Sequence, residues 1–277
     1  MPELPEVETA RRILNLQLGH RTIESVRLED PRVVAYPSSE RFSQALIHCP
    51  FGARGAEAVS RRGKFLLFPL PGDRQLVIHL RMTGRILVAP PSLSPRYLRL
   101  LLTLSDGNEL RLEDPRRLGR VWLLEAGEEG AAGLNRLGTE PWGPALSADY
   151  LQACWKKHKK KIKLCLLDQT VVCGIGNIYS DEILFAAGIR PDRPADTLSD
   201  TEWQTLAAAI PRELTYFTEK NAISPQDYVL GHGHEYRNTP FLRVYGRDRQ
   251  PCARCGRPLI KTRIGGRSSV YCETCQR

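Results

Sequence analysis

Four cysteines crowd into the last 26 residues of this 277-residue chain in the form C-x2-C-x16-C-x2-C: Cys252, Cys255, Cys272 and Cys275. Each C-x2-C turn presents a pair of thiolates. Two such pairs complete a tetrahedron around zinc with no position left for water, so the tail is expected to fold around one structural Zn2+. The residues between the inner cysteines, GRPLIKTRIGGRSSVY, alternate on both sides of a Gly-Gly turn. They are predicted to form a β-hairpin from which Arg257, Lys261, Arg263 and Arg267 project. Cys49, Cys154, Cys165 and Cys173 are scattered and read as single buried thiols, so the even total is not a disulfide framework.

Charge is concentrated at the same end. The chain carries 40 Lys plus Arg against 31 Asp plus Glu, a net +9, and from Arg243 to Arg277 nine basic residues face two acidic ones. Nucleic-acid phosphates are the natural partner of such a module. A ribbon of this kind taken alone would equally suit a protein partner. A second basic run, Lys156 to Lys163 (KKHKKKIK), holds six lysines and no acid. Two readings stand for it: a solvated face or a phosphate contact. Further on, Gly174, Gly176 and Asn177 precede a helical pattern in VVCGIGNIYSDEILFAAGI. Backbone N–H groups at a helix start can hold a phosphate, although many helix starts share this form.

The apolar rhythm changes class midway along the chain. Val7, Ala10, Leu14 and Leu18 recur at helical spacing up to Gly19, which predicts a helix beginning near Pro5. From Arg21 to about Glu125 the runs are short and strand-like: TIESVRL, AEAVS, KFLLFPL, QLVIHL, RILVA, YLRLLLTL, NELRL and GRVWLL, with one helix over SERFSQALIH. Strands at this spacing predict a β-sandwich. A Gly-rich stretch at 125–144 marks a linker, after which helices are predicted over 147–158, 175–187 and 201–220. The predicted class is α+β. No apolar run approaches the ~20 residues that span a bilayer, and MPELPEVETARR is acidic where a signal peptide is basic, so a soluble intracellular protein without a membrane partner is expected.

The N-terminus offers chemistry. Removal of Met1 would expose Pro2 as a secondary amine, and an α-amino group, titrating near ~8, is more available as a nucleophile at neutral pH than a lysine. Its attack on a carbonyl gives an iminium, an electron sink, and Glu3 beside it could act as general acid or base. The same PELPE residues serve equally well simply to start a helix.

Together these motifs resemble bacterial formamidopyrimidine-DNA glycosylase: MPELPEVETARR, SRRGKFL at 60–66, HLRMTG at 79–84, DPRRLGR at 114–120, GIGNIYSDEILFAAGIRP at 174–191, and VYGRDRQPCARCG with GGRSSVYCETCQ near the end. They occur in the family's order from Met1 to Arg277. The resemblance implies a repair enzyme that excises 8-oxoguanine and formamidopyrimidines from double-stranded DNA, then cuts the strand at the abasic site by β,δ-elimination. It implies a catalytic β-sandwich domain at 1–130, a helix-two-turn-helix domain at 131–242 and a zinc finger at 243–277, acting as a monomer in the bacterial cytoplasm. By matching motif, Pro2 would be the Schiff-base nucleophile and Glu3 the acid that helps open the deoxyribose. Lys64 would assist elimination, and Arg267 would grip phosphates and assist the last step. Lys163 and Asn177 would hold phosphates, and Met82, Arg116 and Leu118 would fill the gap left by a base turned out of the stack.

Three positions depart from the family pattern. Leu118 stands where Phe is usual. The segment Arg96, Tyr97, Leu98, Arg99 replaces KHxH, so Arg99 would take over from a phosphate-binding histidine. The segment 231–241, GHGHEYRNTPF, matches the lesion-covering loop in position only, and His232, His234, Tyr236 and Asn238 are the residues expected there to read the base. The related endonuclease VIII type, which prefers oxidised pyrimidines, and a non-catalytic zinc-ribbon damage binder are the alternatives.

Overall fold

The computed structural model describes residues 2–19, 21–52, 57–157, 159–231 and 238–277. These fall into two compact units. Pro2, Glu6–Asn135 and the stretch from Ala222 belong to the first; Glu3–Pro5, Arg136–Asn221 and the stretch to Arg277 belong to the second.

In the first unit, helix α1 (Leu4–Leu18) is followed by strands β1 (Ile23–Leu28) and β2 (Val34–Tyr36) and helix α2 (Ser39–Leu46). Strands β3 (Ser60–Arg62), β4 (Phe65–Leu70), β5 (Arg74–His79), β6 (Arg85–Ala89), β7 (Leu98–Leu104), β8 (Glu109–Glu113) and β9 (Arg120–Leu124) follow. They form a four-stranded sheet in the order β1-β7-β8-β6 and a five-stranded sheet in the order β2-β9-β5-β4-β3. Alternation along β4 turns Leu66 and Phe68 inward to meet Leu76 and Ile78 of β5 and Leu100, Leu102 and Leu112 of the other sheet, in one core. The apolar stripe of α1, Val7, Ala10, Leu14 and Leu18, is fully buried in that same core.

Within the expected strand over AEAVS, residues 57–59 join no strand and pairing begins at Ser60. Asn15 of α1 donates its Nδ2 to the Val59 carbonyl at 2.7 Å and accepts the Val59 N–H at 2.9 Å. The helix side chain thereby takes both backbone groups that a ladder would need. Strand β2 escaped prediction because three residues are too few to show a period, and it joins its sheet as a parallel edge on β9.

Helix α3 (Glu129–Ala132) ends the first unit's continuous stretch, and α4 (Ala148–Trp155), α5 (Ile162–Leu166), α6 (Asn177–Ala187) and α7 (Asp200–Lys220) build the second. Ser199 and Glu202 close a capping box at the start of α7. A short α8 (Pro225–Val229) returns to the first unit. Helix α6 supplies Tyr179, Ile183 and Leu184 to the helical core and Phe185 to a second cluster with Val244, Cys252, Leu259, Val270 and Cys272. The predicted hairpin is present as β10 (Ile260–Ile264) and β11 (Arg267–Tyr271). Gly265 and Gly266 both have positive φ, +56° and +75°, the two-residue turn that matches strand twist. Among the described residues no helix is long and apolar enough to cross a membrane.

Candidate active site

The first turn of a helix leaves backbone N–H groups without partners, and α6 has no side-chain cap at Gly176. Glu3 fills that role from far away in sequence. Its fully buried carboxylate accepts the N–H of Ile178 at 3.0 Å and of Tyr179 at 3.3 Å. Close approach requires both glycines of the motif: a Cβ on Gly176 would lie 2.2 Å from Glu3 Cδ, and one on Gly174, whose φ is +93°, would lie 2.2 Å from Leu4 Cδ1. The anion held at this helix start is therefore the chain's own carboxylate, which corrects the expectation of an external phosphate on those N–H groups.

Within the lysine run, Lys156, Lys157, Lys159, Lys160 and Lys161 are exposed, and only Lys163 departs from expectation. Lys163 is fully buried, its Nζ donating to Asp181 Oδ1 at 2.7 Å and to the Ser268 carbonyl at 3.1 Å. Burial pushes the Lys163 ammonium below the ordinary lysine range and the Asp181 carboxyl above the carboxylate range, each opposed by the other's charge. Asn177 Nδ2 donates to the same Ser268 carbonyl at 3.2 Å. Both groups expected to hold phosphates thus converge on the backbone beside Arg267. Arg267 itself is exposed, as are Lys261 and Arg263 on the hairpin and Arg257 before it.

In the first unit Pro2 is half-buried, and Lys64 is the second residue of a two-residue turn joining β3 to β4, with Gly63 at φ +54° supplying the left-handed position. His79 is pushed down to about 3 by burial and by the charges of Arg81 and Lys64, so its ring is neutral. Its Nδ1 accepts the Arg81 N–H at 2.9 Å and braces the turn that presents Met82, 42% exposed. Arg116 is exposed and its Nη1 lies 3.7 Å from Met82 Sδ, while Leu118 is half-buried. Arg99 is half-buried too, donating Nε to the Asp114 carbonyl at 2.7 Å and Nη1 to the Leu98 carbonyl at 3.2 Å. Part of its guanidinium is therefore committed to the protein.

His232, His234 and Tyr236 lie outside the described residues. Asn238 does not face a base: it is 2% exposed, and its Nδ2 donates to the Tyr179 hydroxyl at 2.7 Å. Sequence reasoning missed Asp114, Asp181 and Glu182. Two adjacent acids inside the apolar pattern NIYSDEILFAA were the available signal, since carboxylates are buried only when partnered.

The four sulfur atoms of Cys252, Cys255, Cys272 and Cys275 lie within 4.8 Å of one another, with Cys252–Cys275 at 3.9 Å and Cys255–Cys272 at 3.5 Å. Four thiolates at ~2.3 Å from a tetrahedral zinc stand ~3.8 Å apart, so the cluster fits the ion. It holds the hairpin that carries Arg267.

Two outcomes are expected. Removing zinc with a strong chelator, or introducing Cys255→Ser, should abolish binding to DNA in a gel shift while the first unit stays folded by circular dichroism, since thiolate ligation supplies much of a small ribbon's folding free energy. Metal analysis of active protein should find one zinc. Gly176→Ala should drive the Glu3 carboxylate off the helix, and amide exchange at Ile178 and Tyr179 should speed up by at least ~10-fold, the scale of one lost charged hydrogen bond.

Comparison with known proteins adds the family. Models of the formamidopyrimidine-DNA glycosylase N-terminal domain, of its H2TH domain and of the zinc finger found in FPG and IleRS match residues 1–121, 137–232 and 249–277. Formamidopyrimidine-DNA glycosylase of Moorella thermoacetica is 44% identical over 266 residues, covering 95% of each chain. That of Shouchella clausii is 41% identical over 279 residues, covering 100% of this chain and 99% of the relative. A crystal structure of the Lactococcus lactis Fpg with DNA containing FAPY-dG superposes with a TM-score of 0.88 at 30% identity, over 99% of this chain and 100% of that one. With relatives this similar along their whole length, and three successive family models accounting for most of its residues, the chain belongs to the formamidopyrimidine-DNA glycosylase family.

Proposed function

We propose that this DNA glycosylase and AP lyase excises oxidised purines by covalent catalysis at Pro2, with Glu3, Lys64 and Arg267 as its partners. The observation that carries the reading is the buried Glu3 carboxylate, anchored by two backbone N–H groups of α6 and joined to Pro2 by one peptide bond. A general acid has to be held within hydrogen-bond reach of the atom it protonates, and this anchoring supplies the rigidity. The Lactococcus lactis Fpg has been solved with FAPY-dG, with an abasic site and with an oxidised pyrimidine, and a MutM with carbocyclic 8-oxo-G. Lesion-containing duplex DNA is the corresponding substrate here.

In the proposed sequence the target nucleotide is turned out of the stack, while Met82, Arg116 and Leu118 fill the gap and Arg99 steadies the backbone. The Pro2 nitrogen, freed by removal of Met1, attacks C1′. The C1′–base bond breaks with its electron pair leaving on the base, which takes a proton from water, and the proton lost by the Pro2 nitrogen passes through the Glu3 carboxylate to the ring oxygen as the sugar opens to the iminium. Loss of a C2′ proton expels the 3′ phosphate, and a second elimination expels the 5′ phosphate. Lys64 assists the first elimination. Arg267 grips the flanking phosphates from its hairpin, with Lys163 and Asn177 setting the position of that strand through the Ser268 carbonyl. Three working parts at 1–130, 131–242 and 243–277 acting as a monomer in the bacterial cytoplasm complete the proposal.

Borohydride reduces an iminium to a stable amine. Protein with Met1 removed, verified by intact mass, is expected to co-migrate with 8-oxoguanine or abasic duplex DNA on a denaturing gel after reduction; no adduct with either substrate would sink the reading. Glu3→Gln keeps the volume but supplies no proton, so excision should fall ~10²-fold or more with little change in affinity. Unimpaired excision by that variant would remove Glu3 from the mechanism.

A further inference from the structure

Met82 sits on one surface turn of the first unit, Arg116 and Leu118 sit on another and Arg99 lies near the start of β7, and each stretch contains or directly follows a residue with a backbone conformation that side chains disfavour. Arg81 before Met82 has φ +55°, Tyr97 before the Arg99 strand has φ +55°, and Arg117 between Arg116 and Leu118 has φ +58°. Non-glycine residues hold such angles only where surrounding bonds over-determine them. Besides the His79 ring that takes the Arg81 N–H, bonds from all three stretches converge on one residue.

Asp114 is fully buried. Its Oδ1 accepts the Thr83 hydroxyl, next to Met82, and the Arg116 N–H at 3.1 Å. Its Oδ2 accepts the Leu118 and Gly119 N–H groups, both at 2.7 Å. Its backbone N–H donates to the Tyr97 carbonyl at 2.9 Å, and its carbonyl accepts Arg99 Nε at 2.7 Å. A carboxylate offers about four acceptor sites, and all four are used.

We infer that Asp114 is the positioning residue of the wedge: one carboxylate sets the spacing of Met82 against Arg116 and Leu118 and makes the turns act as a single rigid insert. Side chains pushed into a base stack are pushed back, and turns with disfavoured angles would relax away under that load. Bonds to a buried carboxylate resist because water does not compete for them. Asp114 touches neither the sugar nor Pro2 chemistry in this account, so its contribution is confined to substrates in which a stacked gap has to be filled. The inference rests on the function proposed above.

Asp114→Asn keeps the shape but turns one acceptor into a donor. With the amide oxygen kept on Leu118 and Gly119, the new NH2 meets the Arg116 N–H donor to donor. Excision of 8-oxoguanine from a duplex should fall at least ~10-fold, and the signal of a fluorescent base analogue placed opposite the lesion, which reports insertion of the wedge, should fall with it. Borohydride trapping and cutting of a single-stranded abasic oligonucleotide, which has no stack to fill, should stay within ~2-fold of the parent. Thr83→Val removes one bond of the set and should lower duplex excision and the fluorescence signal in the same way, whereas Thr83→Ser should restore both. This pair decides the matter should the Asp114 variant fail to fold. Duplex excision within ~2-fold of the parent in both Asp114→Asn and Thr83→Val overturns the inference, as does a proportional loss on duplex and single-stranded substrates. A parent protein that forms no adduct at all shows instead that the proposed function is wrong.

Discussion

A carboxylate taken out of water has to be given hydrogen bonds or a counter-charge, and helix α6 meets that demand three times over. Its N-terminal N–H groups hold Glu3. Asp181, on the following turn, binds Lys163 Nζ, the Ser269 hydroxyl at 2.6 Å and the Val270 N–H at 3.0 Å. Glu182 takes the backbone N–H groups of Arg243, Val244 and Tyr245, each at about 3 Å, with the Arg243 guanidinium beside it. One helix thereby fixes the N-terminal acid, the strand that carries Arg267 and the segment that leads into the zinc module. Each tie is specific, because any other arrangement would strand a buried charge.

The first unit uses the same device on its surface turns, where Asp114 replaces a helix end as the point of convergence. In both units the side chains that reach the DNA in the proposed chemistry are exposed or half-buried and are held by buried acids, while Glu3 is both buried and a participant. This division suits a reaction in which displacements of ~1 Å cost about two orders of magnitude in rate, since exposed side chains keep a fixed origin only when their backbone is tied from below.

Net charge foretold a polyanionic partner, but it did not say which cations would face it. Lys163 lies inside the protein with Asp181, and Arg99 is partly committed to backbone carbonyls, whereas Lys261, Arg263 and Arg267 remain exposed on the hairpin. The zinc module thus carries one group of exposed cations in the second unit, in addition to the exposed lysines at 156–161, and its rigidity comes from four thiolates and from Asp181 together.

The sequence by itself determined what is local or covalent: the C-x2-C pairs, the Gly265–Gly266 turn, the α1 stripe of Val7, Ala10, Leu14 and Leu18, most strands of both sheets, and the adjacency of Pro2 and Glu3. Spacing of two, three or four residues carries those facts, because strand alternation, helical periodicity and chelate turns are all short-range. What remained for the tertiary structure was the destination of the charges. Glu3 meets Ile178 across 175 residues, Lys163 reaches Ser268 across 105, and Asn15 captures Val59 across 44 and cancels a strand that its own sequence favoured. The last lysine of a solvated run looks like the others and a glycine turn looks ready for phosphate until packing decides which carboxylate has to be buried and which donors stand nearby. No local pattern encodes that choice, because the cost of burying a charge is settled only when its partners arrive from elsewhere in the chain.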